Sequence, residues 1–336
     1  MFTRRQLIRF SAGLSLAGGV VRAPRSKADI AVDAGAKSGA ALASLISPVM
    51  ADRGDQKVFP LGVASAEPTT QGMVFWTQVP PALHRADLPL LLEIGEDEGF
   101  SSLALTRSLT NVLHAERDGC VTVTIEDGLQ HGRYYWYRFR YGDAVSRVGR
   151  CHTLCIKPCA ERPLRLGIVN CQEYSNGYYA AFRYLANEPD IDFVLHLGDS
   201  IYERTGGKAY LQRPHADRLI ALPSGGDIAV SLEDYRYLYR LYRSDADYQQ
   251  ALAMHTFVFQ LDDHELTNNA YWDAQNRVMG VADHPFGDKN IYPDSAERLR
   301  QLQFDALRAW SEYMPSRVHE AVSAADPREG VKLYRS

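Results

Sequence analysis

A chain of 336 residues that is 46% hydrophobic can bury large cores and is expected to fill two domains. Its formal charge of −4 argues against a broad electrostatic surface for nucleic acid or an anionic membrane. It leaves open a small anionic substrate held by local groups, and the glycine, proline and charged fractions are those of an ordinary globular enzyme.

The first 28 residues read as an export signal. Thr3-Arg4-Arg5-Gln6-Leu7-Ile8-Arg9 is basic, and an uncharged stretch rich in Ala, Gly, Leu and Ser follows over residues 10–21. That stretch is too short to cross a bilayer, so no stable membrane span is expected, and it suits the apolar region of a signal peptide. The adjacent arginines favour the twin-arginine route. The expected location is therefore periplasmic or secreted, with the twin-arginine export machinery as a transient partner. Residues 29–55 are rich in Ala, Ser, Gly and Asp without periodicity and suit a linker.

Short β-type runs then appear at 73–77, 90–94, 121–125 and 134–141, separated by turn residues. Tyr135, Tyr137, Phe139 and Tyr141 alternate with Trp136, Arg138 and Arg140, the clearest strand signal in the chain. Residues 56–155 are expected to form a small β-sandwich of immunoglobulin or fibronectin type that packs and positions rather than catalyses. Five cysteines occur, Cys120, Cys151, Cys155, Cys159 and Cys171. An oxidising compartment permits pairing among the first four and leaves at least one thiol unpaired.

Residues 160–336 follow a different pattern, in which strands alternate with helices. Strand 164–169 runs into Asn170-Cys171, and strand 191–197 runs into Gly198-Asp199. Strand 257–261 runs into Asp262-Asp263-His264-Glu265. Helices are expected at 177–187, at 232–242 with Ser231 as N-cap, and at 296–313. The alternation predicts an α/β layered domain. Ligands of open α/β sheets bind at the carboxyl ends of strands. Cys171, Asp199 with Tyr202, and Asp262-Asp263-His264 are therefore expected to converge. A thiolate, a carboxylate and a phenolate are anionic donors suited to a trivalent metal such as iron. Asp263 is placed to bridge to a second ion, and His264 to touch substrate. His196 and His255 read as core histidines.

These residues carry a resemblance. Gly198-Asp199-Ser200-Ile201-Tyr202-Glu203 resembles the G-D-x-I-Y-E element of the PhoD-like alkaline phosphatase family. The run Leu261-Asp262-Asp263-His264-Glu265, with Asn268-Asn269 after two further residues, resembles its D-D-H-E-x-x-N-N element. Asn170-Cys171-Gln172, Tyr235-Arg236, Leu241-Tyr242-Arg243-Ser244-Asp245 and Phe59-Pro60-Leu61-Gly62-Val63-Ala64-Ser65 resemble further family segments in the same order. Ala66-Glu67 departs from the usual Gly-Asp.

The resemblance implies an α/β metallophosphoesterase-like domain preceded by the sandwich. It also implies hydrolysis of phosphate mono- and diesters, in small molecules or polymers, by metal-activated hydroxide. Carried over by motif, Cys171, Asp199 and Tyr202 would hold Fe3+. Asp199 and Asp263 would serve adjacent calcium, with Asn268 a weaker ligand. His264 and Asp263 would be catalytic, with His264 and Asn269 touching substrate. Family members continue beyond the position of Leu333-Tyr334-Arg335-Ser336, so the resemblance also implies a domain incomplete at its C-terminus. Two other readings follow: an incomplete fragment that serves as a binding module or has no function, and a thiol hydrolase pairing Cys171 with His264.

Overall fold

The computed structural model describes residues 52–156, 163–205, 215–273, 275, 278–281 and 283–317. The expected signal peptide 1–28, most of the expected linker 29–55, Cys159 and the segment 318–336 lie outside the described residues. The end of the linker is already tied down, because Asp55 N–H donates to the Val145 carbonyl at 2.8 Å.

The strands in chain order are β1 (Val63–Ala66), β2 (Met73–Gln78), β3 (Leu90–Gly95), β4 (Leu103–Leu109), β5 (Cys120–Ile125), β6 (Tyr134–Tyr141), β7 (Ala144–Val145) and β8 (Gly149–His152). Beyond them come β9 (Leu166–Val169), α1 (Ala180–Ala186), β10 (Phe193–His196), α2 (Leu232–Arg243), α3 (Ala246–Met254) and β11 (Thr256–Phe259). A hairpin of β12 (Ala270–Asp273) and β13 (Val278–Val281) precedes the long α4 (Ser295–Tyr313).

The alternation read at 134–141 is realised in β6, where Tyr135, Tyr137, Phe139 and Tyr141 are buried and the intervening residues half-buried. β6 pairs antiparallel with β3, which pairs with β4, and this sheet packs on β1, β2 and β5 through a shared apolar core. Phe75 and Tyr137 meet edge-to-face across it, ring centroids 4.8 Å apart.

Sequence treats the strands of 56–155 as a sandwich of their own. The structure differs. β5-β2-β1 continues directly into β11-β10-β9 as one six-stranded sheet. β1 lies parallel to β11, with Ser65 opposite Thr256 and their hydroxyls 3.1 Å apart. The N-terminal region thus supplies half of the sheet that carries the α/β strands.

β9, β10 and β11 are parallel and in register, so Val169, His196 and Phe259 stand side by side at the carboxyl end. α2 begins where Ser231 predicts, its hydroxyl accepting the Asp234 N–H at 3.3 Å. Its arginines are held by partners on neighbouring elements. Arg236 pairs with Glu312 at 2.7 Å, and Arg240 pairs with Asp118 and Glu233. Arg243 is buried, with its guanidinium 3.8 Å from the Trp76 ring centroid and an N–H to the Tyr313 carbonyl at 2.9 Å. They lock α2 to α4 and to the N-terminal region.

Cys155 is in a disulfide, while Cys120, Cys151 and Cys171 are free thiols. Among the described residues no helix is long and apolar enough to cross a membrane.

Candidate metal centre

The three strand ends bring the expected residues together. Cys171 Sγ donates to Asp199 Oδ2 at 3.2 Å, and the Tyr202 hydroxyl donates to the same oxygen at 3.3 Å. The other oxygen, Oδ1, accepts the backbone N–H of His264 at 3.4 Å. Carboxylate oxygens of Asp199 and Asp263 and a ring nitrogen of His264 all lie within 4.8 Å of one another. Asp199, Tyr202 and His264 are buried, Asp263 is half-buried and Cys171 is exposed.

The backbone is bent sharply to achieve this. Cys171 (φ 52°), Asp199 (φ 55°) and Asn269 (φ 56°) all adopt the left-handed conformation. That conformation costs an ordinary L-residue roughly 1–2 kcal/mol and persists only when neighbours hold it. Gly198 precedes Asp199 with φ +106°, and a Cβ there would meet the Asp262 backbone nitrogen at 2.5 Å. Only glycine lets the two loops come this close.

His196 does more than fill the core. Its Nδ1 accepts the Gly198 N–H at 3.3 Å, so its Nε2–H donates to Gln172 Oε1 at 2.9 Å, tying the turn after β9 to the turn after β10. Burial lowers its pKa to about 4, which keeps the ring neutral. The tyrosines of α2 also serve the centre. Tyr235 O–H donates to the Leu266 carbonyl at 2.5 Å, and the Tyr242 hydroxyl accepts the Tyr202 N–H at 3.2 Å.

Asn268 and Asn269 lie at the periphery. Both side-chain amides donate to Asp283 Oδ2, and Asn269 N–H donates to Asp263 Oδ2. Asp283 therefore completes this carboxylate-rich rim. His284 beside it is buried and contacts the Ala229 carbonyl at 3.1 Å, well inside the core.

Electrostatically the centre is short of positive charge. Among the described residues no Lys or Arg ion pair reaches Asp199, Asp262 or Asp263. Asp262 has its pKa raised by burial and then by the charges of Asp199 and Asp263. Burial and then the hydrogen bond to Asp199 raise the Cys171 thiol, and burial and then the Asp199 charge raise the Tyr202 phenol. Sulfur, phenol and carboxylates crowded together without a cation are a donor set that a metal ion would satisfy. The same facts count against a thiol hydrolase, which needs a lowered thiol pKa and an imidazole partner. Here the Cys171 thiol is bonded to a carboxylate and its pKa is raised.

Residues 166–336 match the family model described as PhoD-like phosphatase, and residues 43–155 match the PhoD-like phosphatase N-terminal domain. The chain belongs to the PhoD-like phosphatase family. Alkaline phosphatase D of Bacillus subtilis (strain 168) is 30% identical over 289 residues, covering 82% of this chain and 44% of that protein. A solved structure titled "Structure of PhoD" superposes with a TM-score of 0.66 at 29% identity, covering 85% of this chain and 50% of the other. The chain therefore spans about half the length of these relatives. The PhoD-like motifs fall on the converging turns described above, and each carries a glutamate, Glu203 and Glu265, to which the sequence alone assigned no role.

Proposed function

We propose that this PhoD-like chain is a metal-dependent phosphoesterase of the alkaline phosphatase D type, hydrolysing phosphate mono- and diesters after twin-arginine export. The observation that carries the proposal is the meeting of Cys171, Tyr202 and Asp199 on one carboxylate, with Asp263 and His264 beside it. The kinship supports the reaction class.

In this reading Cys171, Asp199 and Tyr202 hold iron, Asp199 and Asp263 serve calcium, and Asn268 is a peripheral ligand. The bound cations supply Lewis acidity toward water and positive charge against the phosphate oxygens. The chain's own groups orient the ester. His264 stacks on Tyr202 with ring centroids 4.1 Å apart, and its Nδ1 contacts Glu203 at 2.8 Å. Burial alone would lower its pKa, but the hydrogen bond and charge of Glu203, with the charges of Asp199 and Asp263, outweigh burial and raise it. An imidazole held by Glu203 at this point can contact the transferring phosphoryl group or deliver a proton to the leaving oxygen. Asn269 is placed on the rim for substrate contact. The N-terminal region, joined through β1 and β11, acts as a scaffold.

Hydrolysis of a chromogenic phosphodiester by the purified chain, with and without a chelator, tests the proposal. Turnover that chelation and Asp199→Asn both abolish supports it. Turnover that survives chelation, or is unchanged in the variant, refutes it.

A further inference from the structure

The two family motifs each carry a glutamate, and both side chains, Glu203 and Glu265, are 0% exposed. A buried carboxylate is costly unless its lone pairs are met. In each case the partners come mostly from the opposite loop. Glu265, from the loop after β11, reaches into the loop after β10. There it accepts the N–H of Asp199 at 3.1 Å, the N–H of Ser200 at 2.6 Å and the hydroxyl of Ser200 at 2.7 Å. Its Oε2 also accepts the Asp262 N–H at 2.8 Å. Glu203, from the loop after β10, reaches the other way. It contacts His264 Nδ1 at 2.8 Å and accepts the Thr267 hydroxyl at 3.2 Å and the Asn268 N–H at 3.0 Å.

We propose that Glu203 and Glu265 form a reciprocal brace of two positioning residues, in which each metal-centre loop is aligned by the carboxylate of the other. The proposal rests on the function proposed above. The labour divides. Glu265 grips the backbone on both sides of Asp199 and holds it in its left-handed turn, so it sets the direction of the carboxylate that Cys171 and Tyr202 share. Glu203 fixes the ring of His264 and the turn carrying Asn268, so it sets the group that meets substrate.

Glutamine separates positioning from mere space-filling. It keeps the volume and one acceptor oxygen, but turns an NH2 toward groups that are themselves donors. In Glu265→Gln the amide must face either the Ser200 pair or the Asp199 and Asp262 N–H groups. In Glu203→Gln it must face either the Thr267 and Asn268 donors or His264 Nδ1, which can accept it only by switching the ring to the other neutral tautomer.

The experiment compares the full chain with Glu265→Gln and Glu203→Gln, each checked for folding by circular dichroism. Metal content after loading with ferric iron and calcium is measured beside kcat and KM for a chromogenic phosphodiester. Partners behind metal ligands are worth about 10–100-fold in affinity or activity. Glu265→Gln should stay folded and lose metal affinity by about tenfold or more. Glu203→Gln should keep its iron and lose kcat by about tenfold or more, with KM little changed.

Wild-type metal affinity in folded Glu265→Gln, or a parallel loss of metal and kcat in both variants, overturns the brace. Hydrogen exchange of the metal-free chains separates this from failure of the functional reading. Faster exchange at Asp199, Ser200 and Asp262 only in Glu265→Gln, and at Asn268 only in Glu203→Gln, upholds the brace even if the wild type proves inactive. Unchanged exchange overturns it.

Discussion

Cys171 Sγ lies 3.2 Å from Asp199 Oδ2, although the two residues stand 28 positions apart in the chain. The contact exists because β9 and β10 are parallel and end in register, Val169 opposite His196. From those ends the chain turns through left-handed residues that aim both side chains at one point. Sheet register and two strained turns, rather than proximity in sequence, build the donor set.

Gly198 should therefore be intolerant of any side chain. In Gly198→Ala the new methyl would overlap the Asp262 backbone at a residue whose φ is +106°. The steric term alone predicts a loss of roughly 1–3 kcal/mol in unfolding free energy. Denaturant unfolding measures the loss, and metal content should fall with it as the two loops part.

The hydroxyl of Tyr242 serves the centre from a distance. Tyr242→Phe removes an acceptor of the Tyr202 N–H, now met at 3.2 Å. The expected cost is about 0.5–1.5 kcal/mol, the net worth of one hydrogen bond. Since Tyr202 is a proposed ligand, metal affinity should weaken while far-UV circular dichroism stays unchanged.

Much of this was legible in the sequence, and the failures have physical causes. The alternation at 134–141 and the serine cap at Ser231 are local signals, and both are realised. The three apolar runs that stop at potential ligands also converge. α3 gave no signal because Tyr248, Gln249, Gln250, Ala251, Leu252, Ala253 and Met254 are all buried, so it has no polar stripe to betray a helical period. The joining of β1 to β11 was hidden because it pairs residues 191 positions apart. Glu203 and Glu265 stayed silent for another reason. Several of their partners are backbone N–H groups, which every residue type except proline carries, so no side-chain pattern marks them.

Acid should expose one of the core histidines. Burial lowers the His255 pKa to about 4 from 6.5, and its Nε2 contacts the Leu185 carbonyl at 2.9 Å. The ring is neutral when folded and gains a proton on unfolding anywhere between those values. Its contribution is therefore fully present above about pH 6.5 and is lost as pH falls toward 4. Unfolding free energy measured across that window should decline with acid, and His255→Gln should flatten the slope relative to wild type.

The central claim is that one cation is gripped by the sulfur of Cys171 together with oxygens of Asp199 and Tyr202. X-ray absorption at the metal edge of the iron-loaded chain tests it most directly. The account predicts a sulfur scatterer beside oxygen and nitrogen neighbours, and its disappearance in Cys171→Ser. A wild-type spectrum with no sulfur neighbour, or a sulfur signal that survives the substitution, would contradict it.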